Sequence, residues 1–221
     1  NELINSGAYE KYRKELYMAS QPAAVRHLEY VLEMKITQKR GELKNHILRI
    51  TPILTSLITY YVMECLGYDL KRICTLDKDG NLKEISREKL EKNDIELLEY
   101  LDGEYSSFSN RYVSLDNMVR VLTFLADKKF KNVNRNVLDK FKELREIEKE
   151  IRNKLAHRLE NIDEQQIKEQ CGVTTRRIQS DIEWLLKQIF VSQIPENAFE
   201  SYDKLNSMIK EALDLPSDQA Y

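Results

Sequence analysis

The sequence predicts an all-α fold, a helical bundle with one small β-hairpin inserted near residues 71–85. Three observations carry this expectation. Six glycines and four prolines in 221 residues leave few chain breakers, and Leu, Ile, Glu and Lys dominate, a composition that favours helix. Apolar residues recur at helical spacing over most of the chain. The exception is Asp77-Lys78-Asp79-Gly80-Asn81, a strong turn signal between two β-prone runs, Arg72 to Leu76 and Leu82 to Ile85.

Each element follows from local signals. From Ala8 to about Lys39 the apolar residues fall near helical spacing, and Pro22 divides that stretch into two helices. A second helical region runs from about Glu42 to Leu66, with Pro52 kinking or restarting it and Gly67 closing it. After the hairpin, helical patterns cover about Ser86 to Leu101 and, past a loop from Gly103 to Ser109, about Ser114 to Ala126. A loop rich in Lys, Asn and Arg, Asp127 to Arg135, leads to the longest helix, capped by Asn136 and running to about Leu159. Glu164 to Gln170, a turn at Gly172, a strong helix from Thr174 to Val191 and a last one from Asn197 to Leu213 complete the chain.

Composition narrows the function classes. Thirty-five basic against 37 acidic residues give a net charge of −2, so the chain lacks the overall positive field of a general nucleic-acid coat protein, and any RNA contact must be local. Cys65, Cys74 and Cys171 are odd in number and contain no C-x-x-C pair. That pattern argues against a disulfide framework or a zinc site and for the reducing cytosol. The apolar stretch Ile53 to Leu66 carries Thr, Ser and Glu and is too short for a membrane span. The chain begins at Asn1 without Met or a signal pattern, so it reads as an internal fragment of a longer cytoplasmic protein.

The chemistry points to Arg152-Asn153-Lys154-Leu155-Ala156-His157. A fixed, fork-shaped cation stands five positions before an imidazole that can move a proton near neutral pH. An Arg and a His at this spacing arise readily by chance, and the Asn after the Arg makes the pattern more specific. In a decoy pair, Arg40 precedes His46 by six, but Gly41 stands directly after that Arg and the helix is only beginning there. On the long helix Leu144, Ile147, Ile151, Leu155 and Leu159 form one apolar stripe. Asn153 and His157 share a face roughly opposite it, and Arg152 lies near its edge. Ala156 beside them permits close approach of another helix.

The sequence Arg152-Asn153-Lys154-Leu155-Ala156-His157 resembles the R-N-x-x-x-H signature of HEPN-domain ribonucleases. With the late motif helix, the short helix after it and the chain length, it is most similar to the C-terminal HEPN domain of the CRISPR-associated ancillary ribonucleases of the Csm and Csx groups. The resemblance implies that residues 1–221 form a single HEPN-like ribonuclease domain, a fragment lacking an N-terminal CARF regulatory domain. It further implies a homodimer in which two copies of Arg152, Asn153 and His157 line one composite cleft. Single-stranded RNA would be cleaved there without a metal or other cofactor. Cleavage would be switched on by cyclic oligoadenylate, a diffusible activator made by a type III CRISPR effector complex, bound at the missing domain.

Around this motif, Lys128, Lys129, Lys131 and Arg135, and Arg176 with Arg177, are candidate contacts to an RNA backbone or simply solvated charge. Tyr60-Tyr61 and Phe108 with Tyr112 read more readily as core than as stacking surfaces. Two alternatives remain open from sequence: a HEPN toxin of a toxin-antitoxin pair, and a non-catalytic nucleic-acid-binding module presenting Thr175, Arg176, Arg177 and Gln179 from the helix Thr174 to Val191.

Overall fold

The computed structural model describes residues 22–155 and 163–212. Its elements are α1 (Pro22–Lys39), α2 (Leu43–Leu48), α3 (Ile50–Tyr60), β1 (Cys74–Leu76), β2 (Leu82–Ile85), α4 (Arg87–Asn93), α5 (Ile95–Tyr105), β3 (Arg111–Tyr112), α6 (Leu115–Phe124), α7 (Arg135–Leu155), α8 (Glu164–Cys171), α9 (Thr175–Ile189) and α10 (Ser201–Ala212). Single π-helical turns, Tyr61–Cys65 and Leu125–Lys129, extend α3 and α6. The all-α expectation with one inserted hairpin holds, with a third short strand added.

Side chains start these helices by supplying acceptors for the first free backbone N–H groups. Ser86 accepts from Lys89 N, Ser114 from Asn117 N and Thr174 from Arg177 N. Asp163 and Gln166 form a reciprocal capping box at α8. Gly172, at φ +71°, ends that helix and donates its N–H to the Lys168 carbonyl. The hairpin turn is built by Asp77, whose Oδ1 accepts from Asp79 N (2.8 Å) and Asn81 N (2.9 Å), with Gly80 at φ +82°. β1 and β2 pair antiparallel with Cys74 opposite Ile85, and β3 adds to β2 with Glu84 opposite Tyr112.

Several boundaries differ from expectation for identifiable reasons. The stretch Ser86 to Leu101 is two helices, because the Asp94 side chain accepts from Leu97 N and starts a new helix there. α5 then runs through Gly103 to Tyr105. The region Glu42 to Leu66 breaks at Arg49, upstream of Pro52. The motif helix begins at Arg135, and Asn134, not Asn136, caps it by accepting from Asn136 N at 3.1 Å. The last helix starts at Ser201 after a 3-10 turn, Ala198–Glu200.

The core is continuous. Ile50, Ile53, Leu54, Leu57 and Ile58 of α3 are buried where α3 packs against α1, α6, α7 and α9. Ile178, Ile182, Leu185, Leu186 and Ile189 bury one face of α9 against α1 and α7. The motif helix enters this core through Val137, Leu138, Phe141, Leu144 and Ile151.

Candidate functional site

Arg152 and Asn153 lie in the last turn of α7, which the structure describes as helix through Leu155. His157, with Ala156, falls outside the described residues. The upstream body of α7 determines where that last turn sits. The expected stripe holds at Leu144, Ile147 and Ile151, with Ile147 half-buried against the core, while the Leu155 side chain and Leu159 lie outside the described residues; Glu148, 3% exposed, shares the seam with Leu144 and Ile151.

A buried carboxylate is costly unless charged or hydrogen-bonding groups meet it. Thr51 Oγ1 of α3 donates to Glu148 Oε1 at 2.6 Å, and Arg145 Nη1 donates to Oε2 at 2.9 Å. Arg145 in turn donates from Nε to Asp116 of α6 at 3.3 Å. Glu148 and Thr51 did not emerge from motif reading. The available signal was an acidic residue at a helical position whose neighbours at −4, −7 and +3 are Leu144, Phe141 and Ile151.

Thr51 also lines a groove of about 780 Å³ between α1, α3 and the hairpin tip. Thr55, Thr59 and Tyr60 continue its α3 wall, Arg26 and His27 form the α1 side, and Asn81 rims it. His27 Nδ1 donates to the Ala23 carbonyl at 2.7 Å, so in the neutral ring Nε2 accepts from Ser56 Oγ at 2.9 Å. Burial lowers the His27 pKa, the bond to Ala23 opposes that shift, and nearby Arg26 adds to it.

The other sequence candidates divide. Lys129 Nζ pairs with Asp94 at 2.7 Å and Arg135 with Asp127 at 2.6 Å, whereas Lys128 and Lys131 are exposed. Arg176 is exposed and Arg177 pairs with Asp181 at 2.9 Å. Thr175 and Gln179 are buried: Thr175 donates through N and Oγ1 to Glu164, and Gln179 donates to the Val31 carbonyl. They are therefore not presented to a duplex, and α9 is a core helix. The decoy His46 is fully buried, its Nδ1 donating to the Met34 carbonyl at 3.1 Å. Phe108 and Tyr61 belong to the core, Tyr60 is half-buried, and Tyr112 is exposed.

Among the described residues, no group of three or more His, Cys, Asp or Glu stands together as a metal site. No described helix is long and apolar enough to cross a membrane.

Comparison with known proteins agrees with this architecture. No curated protein matches the chain. Among solved structures, Enterococcus italicus Csm6 bound to cyclic hexa-2'-fluoro-hexa-dAMP superposes with a TM-score of 0.67 at 18% identity. The match covers 95% of this chain and 47% of that one, so the chain spans about half the length of that relative. The family model of the Cas_Csm6 HEPN domain matches residues 16–210, which takes in the motif helix whole, and the chain belongs to that family.

Proposed function

We propose that this chain is the ribonuclease domain of a CRISPR-associated protein and cleaves single-stranded RNA without a metal, at a site shared by two copies of the chain. The observation that carries the reading is the Arg-Asn pair in the last turn of a core-anchored helix, within a chain of the Csm6 HEPN family. The 2′-hydroxyl of the substrate attacks the adjacent phosphorus, the P–O5′ bond breaks, and a 2′,3′-cyclic phosphate and a free 5′-hydroxyl result. A proton leaves the 2′-oxygen and one reaches the 5′-oxygen. His157 serves one of these transfers, and Arg152 neutralises the charge that grows on the nonbridging oxygens. Asn153 orients His157 or contacts the phosphate or base.

Pairing of two α7 ends brings two Arg152 and two His157 to one cleft, in keeping with the helical spacing that sets Asn153 and His157 opposite the apolar stripe in sequence. Cyclic oligoadenylate from a type III effector acts through a CARF domain outside these 221 residues, in a cytoplasmic defence pathway. The solved relative, bound to a cyclic hexa-adenylate analogue, supports that regulatory arrangement.

The test is cleavage of a labelled single-stranded RNA in excess EDTA by the parent chain and by His157→Ala. The expected result is cleavage by the parent, loss of it in the variant, and 2′,3′-cyclic phosphate ends. Products with 5′-phosphate ends, or cleavage that stops in EDTA, would refute the mechanism.

A further inference from the structure

We propose that the groove between α1, α3 and the hairpin tip is a base-binding subsite, which holds the single-stranded RNA on one side of the scissile phosphate; the proposal rests on the reading that the end of α7 serves RNA cleavage.

The first argument is the chemistry of the α3 wall. Ile50 to Met63 holds no Asp, Glu, Lys or Arg, in a chain that is 33% charged. Ile53, Leu54, Leu57 and Ile58 explain the inner face, which is buried in the core. The outer face, with Thr51, Pro52, Thr55, Ser56, Thr59 and Tyr60, lines the groove instead. A helix face turned away from the core ordinarily carries charge. This one carries hydroxyls and a ring, groups that bond or stack on a base without repelling the phosphates beside it.

The second argument is the shape of the groove and the groups it offers. Its volume of about 780 Å³ falls within the about 300–1,000 Å³ of pockets that enclose a small ligand, so a short run of bases fits. His27 of α1 and Ser56 of α3 bind each other at 2.9 Å, which fixes the spacing of the two helical walls. The Tyr60 ring is held 5.8 Å from that of His27 and 4.5 Å from that of Phe190. Among the described residues, the Thr55 and Thr59 hydroxyls and the Arg26 guanidinium have no hydrogen-bond partner. The hydroxyls suit base edges, and the arginine suits a phosphate between them.

The third argument is location. Asn134 N, just before α7, donates to Tyr61 Oη at 3.1 Å, while Thr51 Oγ1 donates to Glu148 at 2.6 Å. The two ties run in opposite chain order, so α3 and α7 lie antiparallel, and the α7 backbone beyond Glu148 continues past the Thr51 end of the groove. From Thr51 to Met63 the α3 wall extends about 18 Å at 1.5 Å per residue. RNA with its phosphate at the end of α7 meets that path directly. A flexible strand follows such a concave surface, whereas a twofold partner centred on it would set the same concavity against it.

The test is photo-crosslinking of the full chain to a short single-stranded RNA of mixed sequence. The RNA carries 4-thiouridine and 2′-fluoro ribose, so it lacks the attacking hydroxyl and stays whole. Trypsin cuts after Arg49 and next after Lys71, so residues 50–71 emerge as one peptide bearing the α3 wall. The expected result is RNA on this peptide, reduced about tenfold, the scale of one lost base contact, in Thr55→Glu and in Arg26→Glu. Should Thr55→Glu fail to fold by circular dichroism, Arg26→Glu on the other wall decides. Undiminished labelling in folded Arg26→Glu, or RNA found only on peptides outside both walls, overturns the proposal. Chain-to-chain crosslinks through residues 50–71 in place of RNA overturn it as well and name a second copy as the occupant.

Cleavage supplies the functional readout. Thr55→Val with Thr59→Val removes two hydroxyls at nearly constant size, so the ratio of cutting between favoured and poor sites in a mixed-sequence RNA should shift by about fivefold, the scale of one hydrogen bond. An unchanged cutting pattern overturns base reading by the groove. If the parent labels residues 50–71 yet cuts no RNA, the ribonuclease reading fails and the subsite stands. If it cuts RNA that bypasses the groove, the ribonuclease reading stands and the subsite falls.

Discussion

Replacing Asp94 with alanine should weaken the fold through three partners at once. Its Oδ1 caps α5 by accepting from Leu97 N, while Oδ2 accepts from the Tyr68 hydroxyl and from Lys129 Nζ at 2.7 Å. The Asp94 side chain is 3% exposed and that of Lys129 28%. Loss of a helix cap costs about 1 kcal/mol, and leaving a part-buried ammonium and phenol without their acceptor costs about 2–3 kcal/mol more. The sum, about 3–4 kcal/mol, lowers the melting temperature of a chain this long by roughly 10 °C, at about 2–4 °C per kcal/mol. Asp94→Asn keeps one acceptor oxygen, for Leu97 N, and turns an NH2 donor toward Lys129 and the Tyr68 hydroxyl, so the cap survives and about 2–3 kcal/mol is expected.

Scanning calorimetry or thermal circular dichroism on both variants gives the comparison. The pH dependence adds a check. Burial opposes ionisation of Asp94, yet bonds from Lys129, Tyr68 and the Leu97 amide hold its pKa below the usual carboxylate value. Its contribution is therefore fully present above about pH 4 and disappears as pH falls through the depressed folded value, so the gap between parent and Asp94→Asn narrows in acid. An Asp94→Ala variant within 1 kcal/mol of the parent, or equal losses for Ala and Asn, would refute the three-partner account.

Other outcomes follow from the same geometry. Thr51→Val combined with Glu148→Leu should remain folded but cost about 1–3 kcal/mol, because Arg145 loses the Glu148 carboxylate and keeps Asp116; calorimetry showing no loss would contradict that account. Leu144→Ala opens a cavity beneath the motif helix and should cost about 2–5 kcal/mol in urea unfolding. His46 has its pKa lowered by burial, opposed by its bond to the Met34 carbonyl and by Glu164. The unfolded chain then binds the extra proton first, so parent stability should fall as pH drops below about 6.5, and His46→Gln should flatten that fall; a parent stability unchanged from pH 7 to 5.5 would refute it. Arg177→Ala, removing an exposed partner of Asp181, should cost less than about 1 kcal/mol.

What the sequence revealed depended on whether the physics was local. The hairpin was readable because Asp77, Gly80 and Asn81 build its turn within five residues. The new helix at Asp94 was obscured because Leu90, Leu97, Leu98 and Leu101, all buried, carry a helical rhythm across the break. Two-residue β3 owes its form to pairing with β2, which nothing in Arg111-Tyr112 announces. Of the proposed site, Arg152, Asn153 and His157 are legible as a motif within six consecutive residues. One partner of Glu148, Thr51, lies 97 positions away in sequence, and the groove joins α1, α3 and the hairpin tip. Such arrangements exist only after the chain has folded, so periodicity placed Leu144, Ile147 and Ile151 on the core side and passed over the acidic residue beside them.

The chain is anchored independently on either side of the motif. α7 is locked into the core as far as Ile151, and Asp163 opens α8 with a capping box whose next residue, Glu164, is bound to Thr175 at the start of α9. The stretch 156–162, which carries His157, therefore joins two ends whose stability is secured elsewhere. On the proposed reading the chemistry of His157 belongs to that stretch, while α7 up to Ile151 and α8 with α9 are held by contacts of their own. Scaffold and proposed chemistry are then set by different residues, the flanking helices by their own buried contacts and caps.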